Sequence, residues 1–149
     1  MTQNLPDNTR QLIENLQLQA HPEGGFFRET WRSNLTISQA NLPKEYTGDR
    51  QAGTSILFLL PTGHYSHWHK VRSDELWLHQ AGDPLELEIS SAIDGKSNIY
   101  HLGQDNCFQV IVPGGYWQKA KPLPGNTGYA LVGCIVVPGF DFADFELEN

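Results

Sequence analysis

The chain has 149 residues, 39% of them hydrophobic and 11% aromatic, one domain's worth of sequence with enough apolar surface to build a core without disulfide or metal staples. Its 17 acidic residues outnumber 10 basic ones, for a net charge of −7, which argues against partners held by a positive field, nucleic acid and anionic membranes among them. Two isolated cysteines, Cys107 and Cys134, make no disulfide framework, no apolar run nears the roughly 18 residues of a membrane span, and the N-terminus lacks a basic-then-apolar leader, so the expectation is a single cytoplasmic domain over residues 1–149.

Leu12, Ile13 and Leu16 form one stripe and predict a helix over 8–18, with Asp7, Asn8 or Thr9 available to cap its free N–H groups. The stripe is short, so the helix must dock on something larger. Beyond Pro22 and Gly24-Gly25 the period changes to that of strands. Phe26–Ser33 alternates aromatic and polar residues, and Thr54–Leu60 is nearly all apolar up to Pro61-Thr62-Gly63. The polar stretch Ser38–Gly53 reads as a long loop. Leu85, Leu87 and Ile89 alternate with Glu86, Glu88 and Ser90, the half-buried strand pattern. Asp94-Gly95 predicts a tight hairpin with φ > 0, returning through Ser97–Leu102. Gln109–Val112 and Tyr129–Val137 are further strands, each stopped by Pro-Gly, and the tail after Phe140 reads as a final strand or docked segment. Short strands punctuated by glycine and proline, without alternating helices, predict an all-β antiparallel sandwich or barrel with one short N-terminal helix.

Chemistry concentrates in residues 64–82, which hold four of the six histidines. His67 and His69 are two apart and share a face of a regular strand; Glu75, Trp77 and His79 share a face of the next. If both faces turn inward, imidazoles, a carboxylate and an indole meet in one cavity. Such groups need partners or a ligand, because an unpaired buried polar group costs ~1–3 kcal/mol. His69 beside Glu75 suits proton transfer, with Glu75 a base if burial raises its pKa. Trp77 and Trp117 offer flat apolar faces to a sugar or aromatic ring. Arg28 shares parity with Phe26 and is expected to point inward as a fork for a carboxylate or phosphate; Ser55 and Tyr65 can supply hydroxyls. Against each stands the plainer reading of a core or surface side chain, and the clustering is what raises the site above it.

Gly63, His67-Trp68-His69, Glu75 and Gly82 resemble the first cupin motif, and Pro113-Gly114-Gly115, with Gly103 upstream, resembles the second. Over roughly residues 8–147 the chain is similar to a small single-domain cupin family, the cupin-5 type. The likeness rests on His21-Pro22-Glu23-Gly24-Gly25-Phe26-Phe27-Arg28-Glu29-Thr30, Thr54-Ser55-Ile56, Trp68-His69-Lys70-Val71, Asp74-Glu75-Leu76-Trp77, Val112-Pro113-Gly114-Gly115 with Trp117-Gln118, and Pro138-Gly139-Phe140-Asp141-Phe142.

The resemblance implies a double-stranded β-helix, or jelly roll, paired as a homodimer and related to sugar-nucleotide epimerases and isomerases. It also implies a possible metal set of His67, His69, Glu75 and Gln118. The His69–Glu75 gap is longer than usual, however, and Gln118 stands where a metal-binding cupin has histidine, a weaker ligand. The cofactor expectation is therefore none or a divalent metal. The expected function is an isomerase or epimerase of a carbohydrate-like compound, with His69 and Glu75 as acid–base groups and Arg28, Ser55, Tyr65, Trp77, Trp117 and Gln118 on the ligand. The alternatives are a metal-dependent oxygenase or isomerase and a non-catalytic binder of a small anion or sugar.

Overall fold

The computed structural model describes residues 2–149. It contains a helix α1 (Asp7–Asn15) and the strands β1 (Gln19–Ala20), β2 (Phe26–Arg32), β3 (Thr36–Ile37), β4 (Arg50–Gln51), β5 (Thr54–Pro61), β6 (Ser66–Val71), β7 (Asp74–Gly82), β8 (Leu85–Ser90), β9 (Ser97–Leu102), β10 (Gln109–Val112), β11 (Trp117–Pro122), β12 (Tyr129–Val137) and β13 (Phe145–Leu147). A six-stranded sheet in the order β1-β2-β5-β12-β7-β10 faces a five-stranded sheet in the order β13-β6-β11-β8-β9, and β3 pairs with β4 apart from both. This is the expected jelly roll.

The apolar patterns follow from which faces are covered. Phe58 and Leu60 of β5 point between the sheets and join Trp77, Leu85, Leu87, Ile89, Leu102, Val112 and Val132 in the main core. Leu59 points the other way, into a second core with Leu5, Ile13, Phe26 and Leu131 beneath α1. A strand buried on both faces reads as a continuous apolar run rather than an alternation, which explains Thr54–Leu60. By contrast β8 buries Leu85, Leu87 and Ile89 and leaves Glu86 and Glu88 only half-buried, in reach of Lys119 and Lys121.

Three local expectations change. The helix is shorter than 8–18 and starts after Pro6, with no side-chain cap; Asp7 lies inside the first turn, and Thr9 is buried with its hydroxyl unpartnered. Arg28 accounts for the helix's other end, because its Nε donates to the carbonyl of Leu16, the C-cap residue (2.7 Å), a cation at the negative end of the helix dipole. Finally, Asp94 and Gly95 do not take positive φ. The β8–β9 link is a longer loop, closed by a turn from Gly95 N–H to Ala92 O and held by Ser90 Oγ, which donates to Lys96 O.

Candidate functional site

At one end of the sandwich the main core gives way to a cavity of about 360 Å³. The same strands that supply the core supply its walls, one or two residues further along: Thr54 and Ile56 of β5, Cys134 and Val136 of β12, Glu75 of β7, His69 and Val71 of β6, and Phe27 and Glu29 of β2. Two segments outside the sheets complete it. The turn before β2 brings His21 and Glu23, and the segment after β12 brings Phe140, Asp141, Phe142 and Phe145.

The turn over 21–25 reaches the site because Gly24 has no side chain. Its φ is +108°, and a Cβ there would lie 2.0 Å from the carbonyl oxygen of Tyr65. That close approach lets His67 N–H donate to Glu23 O at 2.7 Å and brings Glu23 Oε2 to 2.5 Å from His69 Nε2. His69 Nδ1 donates to the His67 carbonyl (2.8 Å), so both ring nitrogens are engaged. On the other side of Glu23, its backbone N–H donates to His21 Nδ1 (3.1 Å), which leaves the neutral His21 ring with its proton on Nε2. Glu75 Oε1 accepts from Gln118 Nε2 (2.9 Å), and Gln118 Oε1 accepts from Trp77 Nε1 (2.7 Å). His69, Glu23, Glu75, Gln118 and Trp77 are all buried.

This burial separates the titrations. Burial alone would depress His69, but the charge and hydrogen bond of Glu23 override it, with help from Glu75 and the His67 carbonyl, and lift the imidazole to about 9. Glu23 is itself held below the usual carboxylate range, since the charge and hydrogen bond of His69 outweigh burial. Glu75 goes the other way: burial, reinforced by the Glu23 charge, pushes it up to about 7 against the opposing pull of His69 and Gln118. Burial lowers His21, only partly countered by Glu23.

The residues expected from sequence divide. His69 and Glu75 line the cavity. Gln118 lies behind Glu75 and orients it. Trp77 is core, fully buried and edge-on to Phe58 at 6.0 Å. Arg28 faces α1 rather than the cavity. Ser55 points away because its neighbours Thr54 and Ile56 point in. Trp117 lies on the outer face of the smaller sheet beneath the Lys70 ammonium (4.9 Å). Tyr65 is exposed beside a second groove of about 610 Å³. His67 borders that groove too, because β6 carries a bulge: Gln118 pairs with His69 and Ala120 with Ser66, so one extra residue reverses the facing of the strand and turns His67 outward.

The set His67, His69, Glu75 and Gln118 therefore does not fit a metal ion. One member is outside, the ring nitrogens of His69 are spent on Glu23 and His67 O, and both ends of the Gln118 amide are used by Trp77 and Glu75. Among the described residues no group of three or more histidine, cysteine or carboxylate side chains is arranged to hold an ion.

Sequence reasoning missed His21, Glu23, Glu29 and Arg32 as site residues. The first two sat in a block valued only for its likeness to the family, although a histidine and a glutamate beside Gly24-Gly25 signal a backbone that approaches something closely. Arg32 enters through a second bulge. Glu29 pairs with Ile56 but Trp31 with Ser55, so the inward parity of β2 passes from odd to even residues and Arg32 joins the rim. There it donates to Glu29 from Nε and Nη2, both at 2.8 Å.

A jelly roll that gathers histidines and carboxylates around a cavity at its open end defines a cupin. The chain belongs to the family described as Cupin superfamily (DUF985), whose model matches residues 10–148. It is 32% identical to the uncharacterized protein YML079W of Saccharomyces cerevisiae over 93% of this chain and 74% of that one. Among solved structures it resembles a hypothetical protein from Leishmania major (34% identity, TM-score 0.80, covering 92% of this chain and 85% of that) and protein SO0799 from Shewanella oneidensis (36%, 0.78, 97% and 86%). Oxalate decarboxylase from Bacillus subtilis shares the fold alone, at 17% identity and TM-score 0.58 over 87% of this chain and 29% of that one.

Proposed function

We propose that this cupin is an acid–base catalyst, an isomerase or epimerase of a small hydroxycarbonyl, carbohydrate-like compound. The observation that carries the reading is the pair of opposite protonation environments in one cavity. His69 is kept as an imidazolium by Glu23, whereas Glu75 is a carboxyl whose ionisation falls near neutrality. Two titratable groups driven apart by their surroundings divide the labour of proton transfer. Glu75, ionised, accepts the proton from a carbon next to a carbonyl; the electron pair moves onto the carbonyl oxygen, where the His69 charge and the His21 Nε2–H oppose it. Return of a proton to carbon completes the exchange. Gln118 positions Glu75, as its contact with Trp77 fixes the amide.

The test is solvent deuterium incorporation into a panel of small aldoses, ketoses, hydroxyketones and their amino derivatives, followed by NMR. The wild-type protein is expected to exchange a C–H proton of at least one compound. Glu75→Gln should abolish the exchange, and His69→Gln should lower it by about 10²-fold or more, the range for losing a group that stabilises developing negative charge. Exchange that persists undiminished in Glu75→Gln would overturn the reading. The homodimer implied by the resemblance is carried as a further proposal, supported by exposed apolar side chains at Trp31, Leu35 and Ile111.

A further inference from the structure

The charges around the cavity are unevenly matched. Its two cations are already taken: Arg32 by the fork of Glu29, and His69 by Glu23 at 2.5 Å. Two carboxyl groups on the lining form no ion pair among the described residues: buried Glu75, and exposed Asp141, which accepts from the Ala143 N–H and whose charge also acts on Arg32 and Arg50. Glu75 is 93% buried by its 7% exposure, and among the described residues no donor apart from the weak Cys134 thiol reaches its second oxygen. An anion entering here would find no free positive group.

The remaining wall is aromatic. Phe140, Phe142 and Phe145 meet with centroids 4.9 to 6.2 Å apart and planes at 85°, 68° and 77° to one another. The three rings pack edge to face on one another, Phe145 is also stacked on the His69 imidazole (5.7 Å, 29°), and Phe142, 55% exposed, forms the outer side of the cluster. A ring face carries negative quadrupole charge and attracts a cation, most strongly where water is excluded. Aromatic corner and unmatched carboxyls thus point to the same charge on the ligand.

We propose that the cavity binds a small organic cation, a protonated amine or quaternary ammonium compound, with its positive group between the phenylalanine corner and the Glu75–Asp141 side. The inference rests on the cavity being the functional site and deepens the reading above by assigning the ligand's charge: the carbonyl compound that exchanges its proton carries an amino group. The volume of about 360 Å³, at the small end of ligand cavities, suits a compact amine rather than a nucleotide.

The experiment is a binding titration of the full chain by calorimetry and NMR. The probes are choline, ethanolamine and tetramethylammonium, with two controls shaped like choline: neutral 3,3-dimethylbutan-1-ol and anionic 3,3-dimethylbutanoate. At least one cation should bind about tenfold or more tightly than the neutral isostere, a ratio in keeping with a desolvated cation–π contact, and the carboxylate should bind more weakly than either. Phe142→Ala changes an exposed side chain and should fold; it should weaken the cation several-fold and leave the neutral alcohol unaffected. Glu75→Gln should weaken the cation too. The proposal is overturned if the carboxylate or the alcohol binds as tightly as the cations, or if no cation binds up to tens of millimolar. Because binding and not turnover is read, cation binding without deuterium exchange would fault only the catalytic reading, whereas exchange on neutral compounds without cation binding would fault only this one.

Discussion

At the residue scale the site turns on Glu23. A histidine enclosed as fully as His69 would ordinarily lose its proton at neutral pH, because burial penalises the charged form. The carboxylate at 2.5 Å reverses that outcome. Replacing Glu23 by Gln removes the negative charge and retains an amide of similar shape. The expected result is that His69, titrating near 9 in the parent, falls by about two units or more, since burial then acts unopposed except by Glu75 and the His67 carbonyl. NMR titration of the imidazole carbon resonances reads this directly; a His69 that still titrates near its parent value would show that Glu23 is not the controlling charge. Arg28 and Arg32 give the complementary lesson. Both are arginines of one strand, yet one caps a helix and the other guards a cavity, because a bulge lies between them.

At the element scale the segment after β12 is both wall and strap. It leaves the larger sheet, passes through a 3-10 turn at Phe142–Asp144 and joins the smaller sheet as β13 beside β6. A buried fork holds it: Arg50 Nε and Nη2 donate to the two Asp144 oxygens, both at 2.8 Å. Arg50 stands in the long polar stretch between β2 and β5, which thereby serves as an anchor for the aromatic wall. Breaking a buried pair leaves a charge without its partner, at a cost of about 3–5 kcal/mol. Asp144→Ala is expected to lose stability on that scale in urea unfolding, and the double variant Arg50→Met/Asp144→Leu to recover much of it. Equal loss in the single and double variants would show that the pair matters through shape rather than charge.

At the scale of the whole molecule the site makes stability depend on pH. His69 rises from 6.5 to about 9 on folding and Glu75 from 4.5 to about 7. A group whose folded value is raised contributes stability that is fully present below its unfolded value and is lost as pH climbs through the folded one. Glu75 therefore sheds its contribution between about pH 4.5 and 7, and His69 sheds its own between about 6.5 and 9. Glu23, whose folded value is lowered, acts oppositely: its contribution is present above 4.5 and is lost only as pH falls through the folded value. Unfolding free energy should thus fall from about pH 5 to pH 9, by an amount on the order of 3 kcal/mol for each raised group, less steeply below pH 6.5, where His21, whose folded value is lowered, gains stability as pH rises. Glu75→Gln should flatten the lower half of that slope and leave the upper half. Stability that is constant or rises over this range in the parent would contradict the assigned environments.

The arithmetic of one acidic, glycine- and proline-rich domain, the alternation of β8, the double-sided apolar run of β5 and the docked stripe of α1 were all legible in order of residues, because period and punctuation are local properties. His69 and Glu75 were legible too, each on a strand whose inward face the pattern implied. What required the tertiary structure was the facing of His67, Arg28 and Arg32, since a single bulged residue reverses a strand's parity without any mark in its composition. It also took the fold to bring Glu23, some 46 positions before His69 in the chain, within 2.5 Å of it. The net charge of −7 argues against polyanionic partners; only the geometry reveals that the cavity pairs both its cations internally and leaves Glu75 outside those pairs.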